Sequence, residues 1–324
     1  MGRNAPVAIG SGARNVKCVF KWIGVGVGGL VVLAGLAASA VYVLSEREIR
    51  RQYTDVPLAS IAVPHDAESI AKGKRLATIY GCFNSCHGDR MQGLKLYDEP
   101  GIARINAPNL TRIVPEYSDA QLERLIRHGV KRDGTSTWIM PSPMFTHMSD
   151  EDLGNVIAFL RSSPVLEGPM REVSLRYLGR VGVVAGKFKP LASTIARGEH
   201  HPTTTDRSEP MRFGRYVVMT TCTECHGQNL QGSDFLKAPS LIVTAGYSDA
   251  AFRHLMKTGI GLGDRKLGLM TEASETRFAN FTEEELAALQ TYLGVTFGNV
   301  ALAGAATVGK PTAARALEVP ADRS

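Results

Sequence analysis

Apolar and polar positions alternate between two regimes along this 324-residue chain. Trp22 to Leu44 is a run of 23 residues without a charge, rich in Val, Leu, Ala and Gly. It is long enough to cross a bilayer as one helix. Beyond it the apolar residues recur at helical spacing, in short segments separated by Gly and Pro. Ile70 to Tyr80 reads as a helix. Ser118-Asp119-Ala120-Gln121 is a capping box, with Leu122, Leu125 and Ile126 behind it. Gly129 predicts where that helix stops. Ser149 caps a further helix through Leu160, with Leu153, Val156, Ile157 and Leu160 on one face. Phe213 to Thr221 is the next helix. Thr282-Glu283-Glu284-Glu285 is a second capping box, opening a helix through Leu293.

These segments repeat. Tyr117-Ser118-Asp119-Ala120 returns as Tyr247-Ser248-Asp249-Ala250, displaced by 130 residues. Ala107-Pro108-Asn109-Leu110 is echoed by Ala238-Pro239-Ser240-Leu241. A repeat of this length is a duplicated domain, not a solenoid of small units. The expected division is a cytoplasmic N-terminus at 1–21, a transmembrane anchor or uncleaved signal at 22–44, and a connector at 45–66 interrupted by Pro57 and Pro64. The two repeats then occupy 67–163 and 211–297. Between them, 164–210 reads as an exposed linker. Residues 298–324, rich in Ala, Pro and Thr, read as a flexible tail.

Each repeat carries one cysteine motif. Cys222-Thr223-Glu224-Cys225-His226 is C-x-x-C-H, the pattern of covalent c-type haem attachment. Two thiols add to the two vinyl groups of one haem, and the adjacent histidine ligates the iron. Cys82-Phe83-Asn84-Ser85-Cys86-His87 is the same motif with one extra residue. Its place beside a regular copy in a repeated sequence carries the reading. Two haem c groups are therefore expected, on Cys82 and Cys86 and on Cys222 and Cys225, with His87 and His226 as proximal ligands. Cys18 is left without a partner, so a disulfide framework is not expected. As zinc sites each cluster would be one ligand short.

Haem iron with His on one side often takes Met on the other. The first repeat offers Met91, Met140, Met144 and Met148. The 130-residue shift carries Met140 onto Met270, Met144 onto Ser274 and Met148 onto Phe278. Met140 and Met270 are therefore the expected distal ligands, ahead of the ordinary reading of Met as a core gap-filler. Pro108 and Pro239 stand where a backbone carbonyl would accept from the other nitrogen of each proximal histidine. Their bland reading is loop-shaping proline. His128 and His254 lie near predicted helix C-termini, and His65, His147, His200 and His201 fall in loops, where surface placement is the better reading. Trp138 has Gly268 as its register partner, so any packing on a haem there is not shared.

Charge adds direction. The net charge is +6, but residues 1–45 hold Arg3, Arg14, Lys17 and Lys21 and no acid, leaving 33 basic against 31 acidic residues for the rest. Four haem propionates, all ionised, would bring that part to about −2. No basic stripe interleaved with aromatics is present, which argues against nucleic-acid binding. Basic residues ahead of the apolar run favour a cytoplasmic N-terminus, although Arg47, Arg50 and Arg51 follow it. Attachment of c-type haem takes place outside the cytoplasm, which places the repeats in the periplasm of a bacterial inner membrane. Ala38-Ser39-Ala40 resembles a signal cleavage site. The long basic lead-in and the apolar character continuing to Leu44 favour an uncleaved anchor. The Gly24–Gly28 pair is a weak helix-packing signal in so Gly-rich a segment.

Cys82–His87, Ala107–Leu110, Met140-Pro141 and the Ser149 helix resemble a class I cytochrome c domain in its usual order. Cys222–His226, Ala238–Leu241, Met270 and the Thr282 helix do so again, with Thr271 where the first repeat has Pro141. The whole resembles a membrane-anchored bacterial diheme cytochrome c. That implies an all-α fold of two tandem cytochrome c domains behind one transmembrane helix. The implied role is electron transfer in a respiratory chain, with no catalytic residue of its own. The implied partners are the membrane and a quinol-oxidising complex, a dehydrogenase or a terminal oxidase, to which the chain is either a tethered carrier or a fixed subunit. A diheme peroxidase needs an open or displaceable sixth position, which methionine at matching positions of both repeats argues against.

Overall fold

The computed structural model describes residues 12–168, 173–195 and 205–305, with side chains from residue 19 to 298 within those ranges. His200, His201, residues 306–324 and the side chain of Cys18 lie outside them. The chain is mostly helical. Helix α1 (Gly12–Ile49) contains the apolar run, and Val19–Ile49 has a mean hydropathy of 2.2 with none of its most apolar window buried. By composition it qualifies as a membrane anchor or a signal sequence.

Two helical domains follow, each built on one crossing. In the first, α2 (Ala67–Ile79) crosses α4 (Asp150–Ser162), and α3 (Asp119–His128) packs alongside. In the second, α6 (Pro210–Thr221) crosses α10 (Glu283–Ala305), with a single turn α7 (Thr223–His226), then α8 (Asp249–Thr258) and α9 (Leu269–Thr276). The caps are those the sequence predicts. Ser118 accepts from the Gln121 N–H and Gln121 reaches back to the Ser118 N–H; Thr282 and Glu285 do the same. Ser149 accepts from the Asp152 N–H, and Gly129 ends α3 in the left-handed conformation at φ 64°.

Both crossings use a glycine. A Cβ on Gly73 would lie 1.9 Å from the Asn155 carbonyl oxygen, and one on Gly214 would lie 2.0 Å from that of Ala288. Backbone thus meets backbone at the centre of each domain, and no side chain of any size fits there.

The sequence did not signal the small three-stranded sheet of the first domain. β1 (Leu94–Glu99) pairs antiparallel with β2 (Ala103–Ala107), and β2 pairs with β3 (Val173–Leu175). β3 and the helix after it, α5 (Tyr177–Val184), fall inside the stretch expected as linker. Chain from that stretch therefore builds part of the first domain: β3 satisfies the free edge of β2, and α5 packs on α1.

The two domains share one apolar core. Ile79, Tyr80 and Phe145 from the first and Val217, Phe278 and Phe281 from the second belong to the same buried cluster. Polar bridges cross it: the Tyr216 hydroxyl donates to Asp152 Oδ2 (2.6 Å), and Arg75 grips Glu285 through both carboxylate oxygens (2.8 and 2.9 Å). A bidentate Arg–carboxylate pair fixes orientation as well as distance. Gly214→Ala is expected to destabilise the second domain by about 1–3 kcal/mol through forced separation of the helices. Gly73→Ala should do likewise in the first, and thermal melts followed by circular dichroism check both.

Candidate haem sites

The regular motif is a single helical turn. Cys222 ends α6, and the His226 N–H bonds the Cys222 carbonyl (2.9 Å), which closes the turn that carries both cysteines and the histidine. The longer motif reaches the same end by another path. Its extra residue goes into a looped turn in which Asn84 takes the left-handed conformation at φ 56°. The Cys86 N–H reaches back to the Gly81 carbonyl (3.1 Å) and the Asn84 N–H to that of Gly88 (3.1 Å). Asparagine tolerates this region better than other non-glycine residues, because its short polar side chain bonds locally.

The proof that the loop absorbs the insertion lies at the histidines. His87 Nδ1 is 2.8 Å from the Pro108 carbonyl oxygen, and His226 Nδ1 is 2.7 Å from that of Pro239. A carbonyl can only accept, so Nδ1 carries the proton in both rings. Burial lowers both histidines below their ordinary pKa, which keeps the rings neutral. Each Nε2 is then an unprotonated lone pair, the form a metal ligand must take. The two proline carbonyls proposed from position alone therefore make the contact expected of them.

Local backbone geometry holds those carbonyls in place, and it repeats closely. Four residues after each histidine, Met91 and Leu230 both sit at φ 61° and are both 2% exposed. The Met91 carbonyl accepts from the Leu110 N–H and the Leu230 carbonyl from the Leu241 N–H, each at 2.9 Å. These bonds pin the residue two after each proline, and so the proline carbonyl itself. A non-glycine residue in the left-handed region costs about 1–2 kcal/mol; two hydrophobic residues held there at matching points mark a required turn. The displacement between the repeats is 139 at the histidines and 131 at the prolines. The first domain spends those eight additional residues on the β1–β2 hairpin.

Beside the first motif lies a cavity of about 430 Å³. Cys82, Cys86, His87, Pro108, Trp138 and Met140 all line it, with apolar Leu110, Ile126 and Phe145. This is the size and lining of a small-molecule or cofactor site. Of the four methionines weighed in the first repeat, Met140 reaches this lining, whereas Met91, Met144 and Met148 are buried in the core. Among the described residues no three His, Cys, Asp or Glu side chains gather as a metal site. In the second domain Met270, at the start of α9, is partly buried against the shared core. Burial pushes the Cys82 thiol up to about 12 and the Cys225 thiol up to about 11, so each is neutral until it is linked. The donor set, the neutral histidines and the apolar cavity fit a covalently held haem.

Two residues that sequence reasoning passed over join the sites. Glu224, inside the second motif, also lines the cavity of the first. Arg277, 6% exposed, donates from Nη1 to Glu224 Oε2 (2.9 Å) and from Nε to the Ile79 carbonyl (2.9 Å) at the end of α2. The motifs are near enough that Cys86 contributes to the raised pKa of Cys225. Arg277 is therefore a buried cation between two haem-attachment segments. Burial opposes its charge, and Glu224 outweighs that and holds the guanidinium ionised.

Crossed helices behind a cysteine–histidine haem motif define a c-type cytochrome domain, and this chain has two such regions. Consistently, the family profile for cytochrome c matches residues 70–164 and 213–296. The chain belongs to the cytochrome c family and carries covalently bound haem c. It is 26% identical over 294 residues to the fructose dehydrogenase cytochrome subunit of Gluconobacter japonicus, covering 81% of this chain and 58% of that protein. Cytochrome c subunits of alcohol dehydrogenase (quinone) from Gluconacetobacter polyoxogenes and Komagataeibacter europaeus are each 29% identical over 110 residues, covering 31% of this chain and 23% of theirs. The chain thus spans little more than half the length of the first of these relatives.

Asn84→Val is expected to lower the melting temperature of the haem-loaded protein, a loss of about 1–2 kcal/mol or more for a branched side chain held left-handed. Asn84→Gly should leave it unchanged. Removing the Arg277 charge should lower the reduction potential of at least one haem, because a nearby cation favours the electron-rich state. Arg277→Gln and Glu224→Gln are therefore expected to shift potential in opposite directions in a spectroscopic redox titration.

Proposed function

We propose that the chain is an electron-transfer protein with two haem c groups, tethered to the bacterial inner membrane by α1 with its haem domains in the periplasm. In this reading it serves a dehydrogenase as the cytochrome subunit, passing electrons onward to the respiratory chain. The single observation that carries the electron-transfer role is the twin histidine–carbonyl contact at Pro108 and Pro239, which presents two neutral imidazoles for ligation in one shared core. Similarity to a dehydrogenase's cytochrome subunit over most of the chain supports the choice of partner.

The chemistry supplied by bound haem is reversible one-electron transfer at iron. The chain's own residues do the rest. Cys82, Cys86, Cys222 and Cys225 hold the macrocycles. Pro108 and Pro239 orient His87 and His226 and raise the basicity of their rings. Met140 and Met270 would offer their thioethers to the iron, a donor that favours a raised potential. The Arg75–Glu285 pair and the Arg277 bond to the Ile79 carbonyl tie the two domains together, which supports a fixed distance between the sites.

Met140→Ala is expected to abolish the methionine-linked long-wavelength absorption of one haem and lower its potential, leaving the other unchanged. Met270→Ala should do the same to the second. Retention of both bands and both potentials in either variant rejects that ligand. Purification in mild detergent tests the partner. A stoichiometric dehydrogenase supports the subunit reading, whereas a redox-active chain that travels alone and exchanges electrons with an oxidase supports a tethered carrier.

A further inference from the structure

Helix α5 is amphipathic in the reverse sense. Its buried positions are Gly179 and Val183, while Tyr177, Leu178, Val181 and Val184 are 37–57% exposed, and Phe188 just beyond is 38% exposed. Tyr177, Val181, Val184 and Phe188 recur at the spacing that puts them on one helical face. A helix on an aqueous surface turns its apolar face inward; here that face looks out.

Its neighbour shows what covers it. Arg180 donates to Ser45 Oγ (2.9 Å), pairs with Glu46 (2.9 Å), and lies 4.3 Å from the centre of the Tyr42 ring. The uncharged run of α1 ends at Leu44, so α5 is clamped where α1 leaves its apolar stretch. Val43 and Leu44 beside the clamp are themselves exposed, at 63% and 52%. The apolar stripe of α5 is thus continuous with the exposed apolar surface of α1. Val19–Ile49 rises about 46 Å as a helix, against about 30 Å of hydrocarbon, so its last turns emerge among headgroups. Lys187 and Lys189 are exposed at the end of α5, and Arg47 and Arg51 stand on the last turn of α1 and just after it. An apolar face with an aromatic rim and flanking lysines is the composition of a helix lying in the membrane interface, and the basic flank suits anionic headgroups.

We infer that α5 lies in the membrane interface, its Tyr177–Phe188 stripe bedded at the boundary of headgroups and acyl chains. It seats the first haem domain on the bilayer rather than leaving it to swing on α1. The seat is firmly tied to the first site. The Leu178 N–H bonds the Gly101 carbonyl (2.8 Å), Arg176 pairs with Asp98 (2.8 Å), and β3 extends the sheet whose Ile105 and Leu175 line the cavity. The inference rests on α1 being a retained anchor.

The test uses the full haem-loaded chain in phosphatidylcholine–phosphatidylglycerol vesicles doped with a diazirine-bearing phospholipid. After irradiation, tryptic peptides are read by mass spectrometry. Lipid adducts are expected on α1, on Tyr177–Arg180 and on Val181–Lys187, and not on the peptide holding Phe235, an exposed aromatic of the second domain (85%). In the double variant Leu178→Glu, Val184→Glu the α5 adducts should fall several-fold, while the α1 adducts and the haem absorption spectrum stay as they were. Adducts on α1 without any on α5 overturn the inference and leave the anchor standing; a second copy of the chain covering the stripe gives this same pattern. Absence of adducts on both overturns the anchor and the inference together.

Discussion

The arrangement depends on a contact between an imidazole N–H and a backbone carbonyl. A proximal histidine must be neutral, with its lone pair on Nε2, and must be held at one angle. Burial supplies neutrality and the proline carbonyl supplies the tautomer and the angle. A backbone acceptor suits this task because it cannot titrate and cannot rotate away. Its position is set by the chain on either side, which explains the left-handed turn at Met91 and Leu230: that turn brings the chain back so that the pinned loop can present its carbonyl. The longer cysteine motif meets the same demand with a different local conformation.

What was legible in the sequence is what local chemistry dictates. The capping boxes at Ser118 and Thr282, the stop at Gly129 and the two cysteine motifs each write their geometry within a few residues. The Met140–Met270 pairing came from register, which is also a property of the sequence alone. The β1–β2 hairpin was harder to see. Its strands are short, and β1 is exposed on every residue, so no inside–outside alternation marks it. The change in displacement between the repeats is the signal that would have exposed it, since it locates inserted residues in that loop. β3 is harder still, because it lies some seventy residues from the strand it completes.

Arg277 and Glu224 were illegible for a different reason. Nothing about an arginine after α9 or a glutamate inside a cysteine motif shows that they meet, let alone beside a second motif. Both lie in the second domain; what exists only once the domains are packed is the Arg277 bond to the Ile79 carbonyl, and that packing follows from apolar surface shared between Tyr80, Phe145, Phe278 and Phe281. A buried ion pair is weak evidence of stability, because desolvation offsets attraction. Its value lies in specificity. A guanidinium fixed by a backbone carbonyl of one domain and a carboxylate of the other accepts one relative placement of the two.

That placement also brings the end of α1 to both cysteine motifs. Glu46 and Ile49 at the end of α1 line the same cavity as Cys82 and His87, and Glu224 of the second motif lines it too. The first site is therefore bounded on one side by the end of α1 and on another by the second motif. The packed path between the two motifs is held by side chains that also hold the domains together, Arg277 through the Ile79 carbonyl and Arg75 through Glu285.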